Sequence, residues 1–348
     1  MYNIITDMRT NILLLVMLLF PCICMAADRE YNKPGIAPDI TIDKNQLHST
    51  VQKLSGLSPA RSYENIGSLN KAADFIMDEF QRYGYSPLEQ IFRVDGTEYR
   101  NIIASYGPET GPRFIVGAHY DVAGEKPGAD DNASGVAGLL ALADLFKKHS
   151  PKIDFRIDFV AYTLEEPPFF RTKNMGSYVH AKSLHDAGVK VKGMVCLEML
   201  GFYSDAPNSQ GYPLPLMRLF YPSKGNFIGV VGNFASSDLV RHVRDRMRSA
   251  DIDVESLKAP SCLIGVDFSD HRNYWKFGYH AIMITDTAFY RNPNYHSASD
   301  TIDTLNFDKI KEVVKGIYWA LINLDVSKDG KSSIRPFAPV TRIHNLKS

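Results

Sequence analysis

The sequence has little that would commit it to a partner by charge. Its 39 Lys and Arg are balanced by 39 Asp and Glu, and no long run of like charge interrupts it. Neither nucleic acid nor an anionic membrane surface would find an electrostatic footprint here. Cysteine is scarce, four in 348 residues, too few for a fold built on disulfides. No Gly-, Ser- or Pro-rich linker divides the middle of the chain, and there is no internal repeat or low-complexity segment. The length is therefore read as one large domain rather than two.

An apolar run is present at the N-terminus, but it is short. Ile12 to Phe20 is preceded by Arg9 and followed by Cys24-Met25-Ala26. A helix needs about twenty apolar residues to cross a bilayer core, whereas this length suits the apolar segment of an export signal cut after small residues. Residues 1–26 are expected to be a signal peptide, leaving 27–348 as the mature domain, exported to a periplasm or the medium with no membrane attachment after cleavage. Cleavage would leave Cys196 and Cys262. Cys196 lies in the apolar run Met194 to Leu197 and is read as a small hydrophobe, not half of a disulfide.

Short apolar runs rich in β-formers alternate with helical periodicity, the pattern of an α/β sheet with helices on both faces. Strands are expected near 101–106, 114–118, 157–162, 193–197, 227–231 and 281–285. Helices are expected near 68–83, 134–148, 237–249 and 307–324, the last marked by Ile310, Val313, Val314, Ile317 and Leu321. The expected fold is α/β, a single domain with a central mixed, mostly parallel sheet.

Over that map, five residues of zinc-ligand type fall at the edges of apolar runs: His119, Asp131, Glu166, Glu198 and His296. Three of them follow strands, where open α/β sheets place their sites. Two zinc ions sharing a carboxylate need two histidines and three acids, with a position kept open for water. Glu165, directly before Glu166, is the natural general base. The acid pair precedes Pro167-Pro168, and adjacent buried acids are unfavourable unless cations neutralise them. In His119-Tyr120-Asp121 the two polar side chains project to one side of an extended chain, so Asp121 could hold the imidazole, although such a pair also occurs as a surface hydrogen bond. The segment PGADDNASG, 127–135, packs two acids between glycines at a helix start, which taken alone is equally an acidic turn with a helix cap.

Together the motifs HYD, PGADDNASG, TLEEPP, CLEMLG, FSDHRNYWKFG and RNPNYHSASDT, in this order, resemble the family of cocatalytic dizinc aminopeptidases. That family also includes glutamate carboxypeptidases, glutaminyl cyclases and the transferrin-receptor ectodomain. The resemblance runs from about Ser62 to Leu324 and implies a zinc-peptidase fold of the phosphorylase/hydrolase-like kind. It implies that Asp131 bridges two Zn²⁺, that His119 and Glu198 complete one site, and that Glu166 and His296 complete the other. Glu165 would take a proton from the metal-bridging water, and Asp121 would support His119. A cis peptide between Asp131 and Asn132 is also implied. Asp270-His271 matches a family motif without an assigned role and is treated as structural, and Tyr295 stands either as an oxyanion donor or as an aromatic wall.

The implied substrate is a peptide with a free N-terminus. No motif arginine is placed to capture a C-terminal carboxylate, although Arg171, Arg272 or Arg291 could approach in the fold. Two features depart from the family pattern: Glu198 stands where many relatives have aspartate, and the stretch 167–175 is longer than in the best-known aminopeptidases. The alternative activity is that of a glutaminyl cyclase with a single zinc. Such cyclases usually lose part of the second ligand set, which is complete here, as it would not be in a catalytically dead binding domain.

Overall fold

A computed structural model describes residues 40–324; the expected signal peptide and its cleavage site lie outside the described residues. Fifteen elements carry the argument, named here in chain order. The chain enters through α1 (Lys44–Ser55) and α2 (Ile66–Arg82), then forms the hairpin β1 (Leu88–Val94) and β2 (Thr97–Tyr106). There follow β3 (Arg113–His119), α3 (Gly135–His149), β4 (Arg156–Tyr162), α4 (Gly176–Asp186) and β5 (Val191–Glu198). The second half comprises β6 (Phe227–Gly232), α5 (Ser237–Met247), β7 (Asp253–Lys258), α6 (His271–Trp275), β8 (Ala281–Thr285) and α7 (Phe307–Ile322).

All eight strands form one sheet in the order β1-β2-β4-β3-β5-β8-β6-β7. The four central strands, β4, β3, β5 and β8, run parallel, while β2 and β6 join them antiparallel on either side. The central strands are buried on both faces, which is why they read as largely apolar runs, β4 interrupted by the buried Asp158. The two faces carry separate cores. Ile228, Val230, Ile282 and Ile284 face a large cluster shared with α1, α2, α3, α5 and α7. Val231, Met283, Ile115 and Val160 face a smaller one, which α4 and α6 complete through Ala181, Leu184 and Tyr274. Helices thus cover both faces, as expected, but on the smaller-core face they stop short of β6 and β7.

The expected elements are present with ends shifted by a few residues. Others carried too little apolar signal to be anticipated. β1 is an edge strand with Leu88 and Ile91 exposed, α6 is barely more than one turn, and α1 buries only Leu47, Thr50, Val51 and Leu54 of an otherwise polar sequence.

Candidate metal centre

The parallel strands end along one edge, and the expected donors gather there. His119 is the last residue of β3 and Glu198 the last of β5. Glu165 and Glu166 follow β4, Asp131 lies in the wide turn Ala129–Ser134 that leads into α3, and His296 comes from the loop after β8. All are buried except His296, which is part-exposed. The two carboxylate oxygens of Asp131 face different partners. Oδ1 lies 3.4 Å from His119 Nε2, which is also 3.4 Å from Glu198 Oε2. Oδ2 lies 3.1 Å from His296 Nε2, itself 3.1 Å from Glu166 Oε2. Donors about 2.0–2.1 Å from a tetrahedral zinc are separated by roughly 3.3 Å, so both triplets have the span of a metal's coordination edge. His119, Asp131 and Glu198 form one group able to hold an ion, and Asp131, Glu166 and His296 another. The donor set fits zinc.

Backbone contacts fix these side chains. Asn132 ties the turn to β5: its Nδ2 donates to the carbonyl of Leu197 at 2.8 Å, and its Oδ1 accepts from the amides of Gly135 and Met199. The Asp131–Asn132 peptide is cis. Asp300 accepts from the amides of Asp130 and Asp131 at 2.9 and 3.1 Å, and Asp130 accepts from the Gly201 amide and from Asn292. Leu164, Met199 and His296 all have positive φ. Such non-glycine residues are uncommon and cluster at functional sites; here each is a candidate donor or lies directly beside a candidate base or donor.

Charge crowding is the dominant electrostatic feature. Burial would raise Asp131, but His119 and His296 outweigh it and hold its carboxyl below the usual range. Burial, reinforced by Asp131, pushes Glu166 up to about 7 against the pull of His296. Glu165 rises well above the ordinary carboxylate value through burial, with Glu166, Glu198 and Asp270 pushing further and His119 pulling back. Burial lowers His296, yet its hydrogen bonds to Asp131 and Glu166 prevail and raise it to about 10. So many buried acids around two imidazoles are an arrangement that divalent cations relieve.

Several neighbours make contacts beyond those anticipated. Asp121 lies 3.5 Å from His119 Nδ1, but its firm hydrogen bonds come from the backbone amides of Glu165 and Glu166, at 3.2 and 3.0 Å. It therefore sets the acid pair as well as flanking the imidazole. The Tyr295 ring stacks on His296 with centroids 3.9 Å apart. Asp270 is fully buried with no well-aligned hydrogen bond to either oxygen. Burial pushes it up to about 7, with His119 and a loosely aligned Ser177 hydroxyl pulling it down and Glu198 and Asp121 pushing it up. Arg171 and Arg272 both pair with Asp267, and Arg291 is buried against Gln210 and the carbonyls of Phe202 and Phe227. Cys196 and Cys262 are both free.

Sequence reasoning missed three supports. Arg61 is buried and donates to the carbonyls of Tyr120, Pro127 and Gly128, stapling two motifs together. Ser269 donates to Glu198 Oε2 at 2.6 Å. Asp300 holds the turn. Each is distant in sequence from what it supports, and the visible signal for Ser269 and Asp300 was only their place inside quoted motifs.

Beside Glu198 opens a pocket of about 90 Å³, walled chiefly by apolar residues including Met217, Leu257, Val266, Phe268, Met283 and Phe289. It occupies the part of the smaller-core face that helices leave bare. The segment 202–226, held by Arg291, forms much of its cover.

Comparison with known proteins bears on this geometry. The family model for peptidase family M28 matches residues 101–320. The uncharacterized protein YfbL of Escherichia coli is 47% identical over 287 residues, covering 80% of this chain and 87% of that protein. Leucine aminopeptidase 1 of Colletotrichum graminicola is 28% identical over 229 residues, 62% of this chain, which spans about half (51%) of that protein. Among solved structures, glutaminyl cyclase from Porphyromonas gingivalis shares the fold, with a TM-score of 0.62 at 20% identity over 80% of this chain and 98% of that one.

Proposed function

The chain belongs to peptidase family M28, and on that premise we propose that it is an exported dizinc aminopeptidase that removes N-terminal residues from peptides. The observation that carries this reading is the split of Asp131: one oxygen faces His119 and Glu198, the other faces His296 and Glu166. Two complete donor groups sharing one carboxylate support a two-metal hydrolase better than a single-metal cyclase. Zinc, when bound, supplies Lewis acidity to the substrate carbonyl and acidifies water.

The protein's own residues do the rest. Glu165 is buried beside the donor groups and favours holding a proton, which suits a base that must receive one near neutral pH. It takes the proton from the attacking water. The scissile C–N bond breaks, and Glu165 returns that proton to the departing nitrogen, releasing a free amino acid and a peptide one residue shorter. Asp121, bonded to both amides of the Glu165–Glu166 pair, holds the base in register with the donors. Pairing of Arg171 and Arg272 with Asp267, and the burial of Arg291, supports recognition of an amine end over a carboxylate end.

The test compares a leucyl-peptide, its N-acetylated form and a glutaminyl-peptide on zinc-saturated protein, with elemental analysis. Two zinc ions per chain and cleavage of the free but not the acetylated peptide are expected. One zinc with ammonia release from the glutaminyl-peptide would identify a cyclase, and equal cleavage of the acetylated peptide would refute aminopeptidase action. Export rests on the apolar run 12–20; sequencing the mature N-terminus of secreted protein should begin at Ala27, and retention of residues 1–26 would overturn it.

A further inference from the structure

The sheet register carries the metal centre into the pocket. Glu198 pairs with Thr285, Thr285 with Gly229, and Gly229 with Glu255, so these four form one row across β5, β8, β6 and β7. Strands lie about 4.8 Å apart, placing Gly229 roughly 10 Å from Glu198 along that row. Thr285, Gly229 and Glu255 all line the pocket that opens beside Glu198.

Gly229 differs from the other glycines in this sheet. A Cβ on Gly117 would strike the Tyr162 ring at 2.2 Å, one on Gly193 would meet Phe114 at 2.8 Å, and one on Gly232 would meet Val240 at 2.7 Å. Packing explains those. A Cβ on Gly229 would meet the Thr285 carbonyl oxygen at 3.2 Å and the methyls of Thr287 and Thr285 at 3.6 and 3.8 Å, so a shift of a few tenths of an ångström would admit it. Gly229 does not have the positive φ that would demand glycine, and glycine weakens a strand interior unless something must approach the backbone there. Its neighbours on the same face, Phe227 and Val231, both carry large side chains into the lining. The glycine is a gap between two walls.

We propose that Gly229 sets the size of the substrate's N-terminal side chain, and that this side chain is aliphatic, of about the size of leucine. The proposal rests on the aminopeptidase reading. A substrate whose scissile bond lies at the metal centre would send its first side chain along the Glu198–Thr285–Gly229 row. The Thr285 hydroxyl accepts the Thr287 amide at 2.9 Å, which fixes the orientation of its oxygen beside the gap. An apolar cavity of about 150 Å³ admits benzene, so 90 Å³ suits a leucine side chain better than an indole.

The experiment measures kcat/KM for leucyl-, alanyl-, phenylalanyl- and lysyl-p-nitroanilide on the zinc-loaded full chain, in wild type, Gly229→Ala and Gly229→Val, with calorimetric binding of free L-leucine. Wild type should prefer leucyl over the other three. Gly229→Val should cut leucyl turnover about 10–200-fold, the range that one misfitting methyl group produces in an apolar pocket, leave alanyl turnover nearly unchanged and abolish leucine binding. Gly229→Ala should fall between and keeps the test available if the larger variant misfolds. A parallel fall of leucyl and alanyl turnover in a folded, zinc-loaded variant would overturn the assignment, as would wild-type preference for the lysyl or phenylalanyl substrate. Leucine binding that Gly229→Val abolishes, without any hydrolysis by wild type, would sink the aminopeptidase reading and leave the pocket assignment standing. Neither binding nor hydrolysis in wild type would sink both.

Discussion

The metal centre and the pocket beside it share Glu198 yet are built by opposite means. At the centre, the acidic donors are held by polar contacts between segments: Asp300 and Asn132 fix the Asp131 turn, Asp121 fixes the acid pair, and Ser269 fixes Glu198. In the pocket, the walls are apolar side chains and one glycine, placed by strand alternation and by a loop that covers what no helix covers. A centre that relies on donor positions tolerates few changes, because a small misplacement costs much of the rate. A pocket that relies on volume tolerates substitution and changes its selectivity instead. Chemistry and specificity should therefore be separable by mutation.

The strongest break is Glu165→Gln. It should lower kcat for every substrate by about 10²–10⁴-fold while two zinc ions stay bound and the leucyl-to-alanyl ratio is unchanged; an unaltered kcat would remove Glu165 from the role of base. A smaller effect is expected for Ser269→Ala, which frees Glu198 without touching the pocket. Loss of a supporting hydrogen bond to a ligand typically weakens metal binding about 10–100-fold, readable by competition with a chelator, and an unaffected metal affinity would show that Glu198 is held by other means.

The smallest effect is on stability and belongs to the centre alone. In metal-free protein the raised values of Glu166, at about 7, and His296, at about 10, mean that the folded state binds more protons than the unfolded one near neutrality. Stability then falls as pH rises. For Glu166 the loss falls between its ordinary value and about 7, and for His296 between its ordinary value and about 10. Chelated protein should melt a few °C lower at pH 8.5 than at pH 6.5, whereas zinc-loaded protein should show little of this slope. Parallel slopes with and without zinc would separate the metal centre from the pH response.

The same contrast governs what could be read from the chain. The central strands were legible because burial on both faces leaves a largely apolar run, and α3 and α7 because their apolar residues recur at helical spacing. The edge strands β1 and β7 were not, since half of each faces solvent and charged residues interrupt the pattern. At the centre, His119, Asp131, Glu165, Glu166, Glu198 and His296 were all singled out beforehand, because metal donors must be particular residue types: His119, Glu165, Glu166 and Glu198 stood at strand ends, and Asp131 and His296 inside quoted motifs. Arg61 was invisible: an arginine near the N-terminal helices carries no mark of three carbonyl partners some 60 residues away. Asp270 stood inside a quoted motif, but only its burial without a well-aligned hydrogen bond gives it electrostatic weight.

Residue chemistry and periodicity by themselves determined the α/β class and the donor inventory, since both depend on the identity of side chains and their spacing along one segment. Tertiary structure alone decided which oxygen of Asp131 faces which histidine, that Asp121 serves two backbone amides, and that Gly229 opens a gap in line with Glu198. Each of these depends on register between residues 12 to 165 positions apart, and register is set by packing of the whole sheet, which no single stretch of sequence encodes.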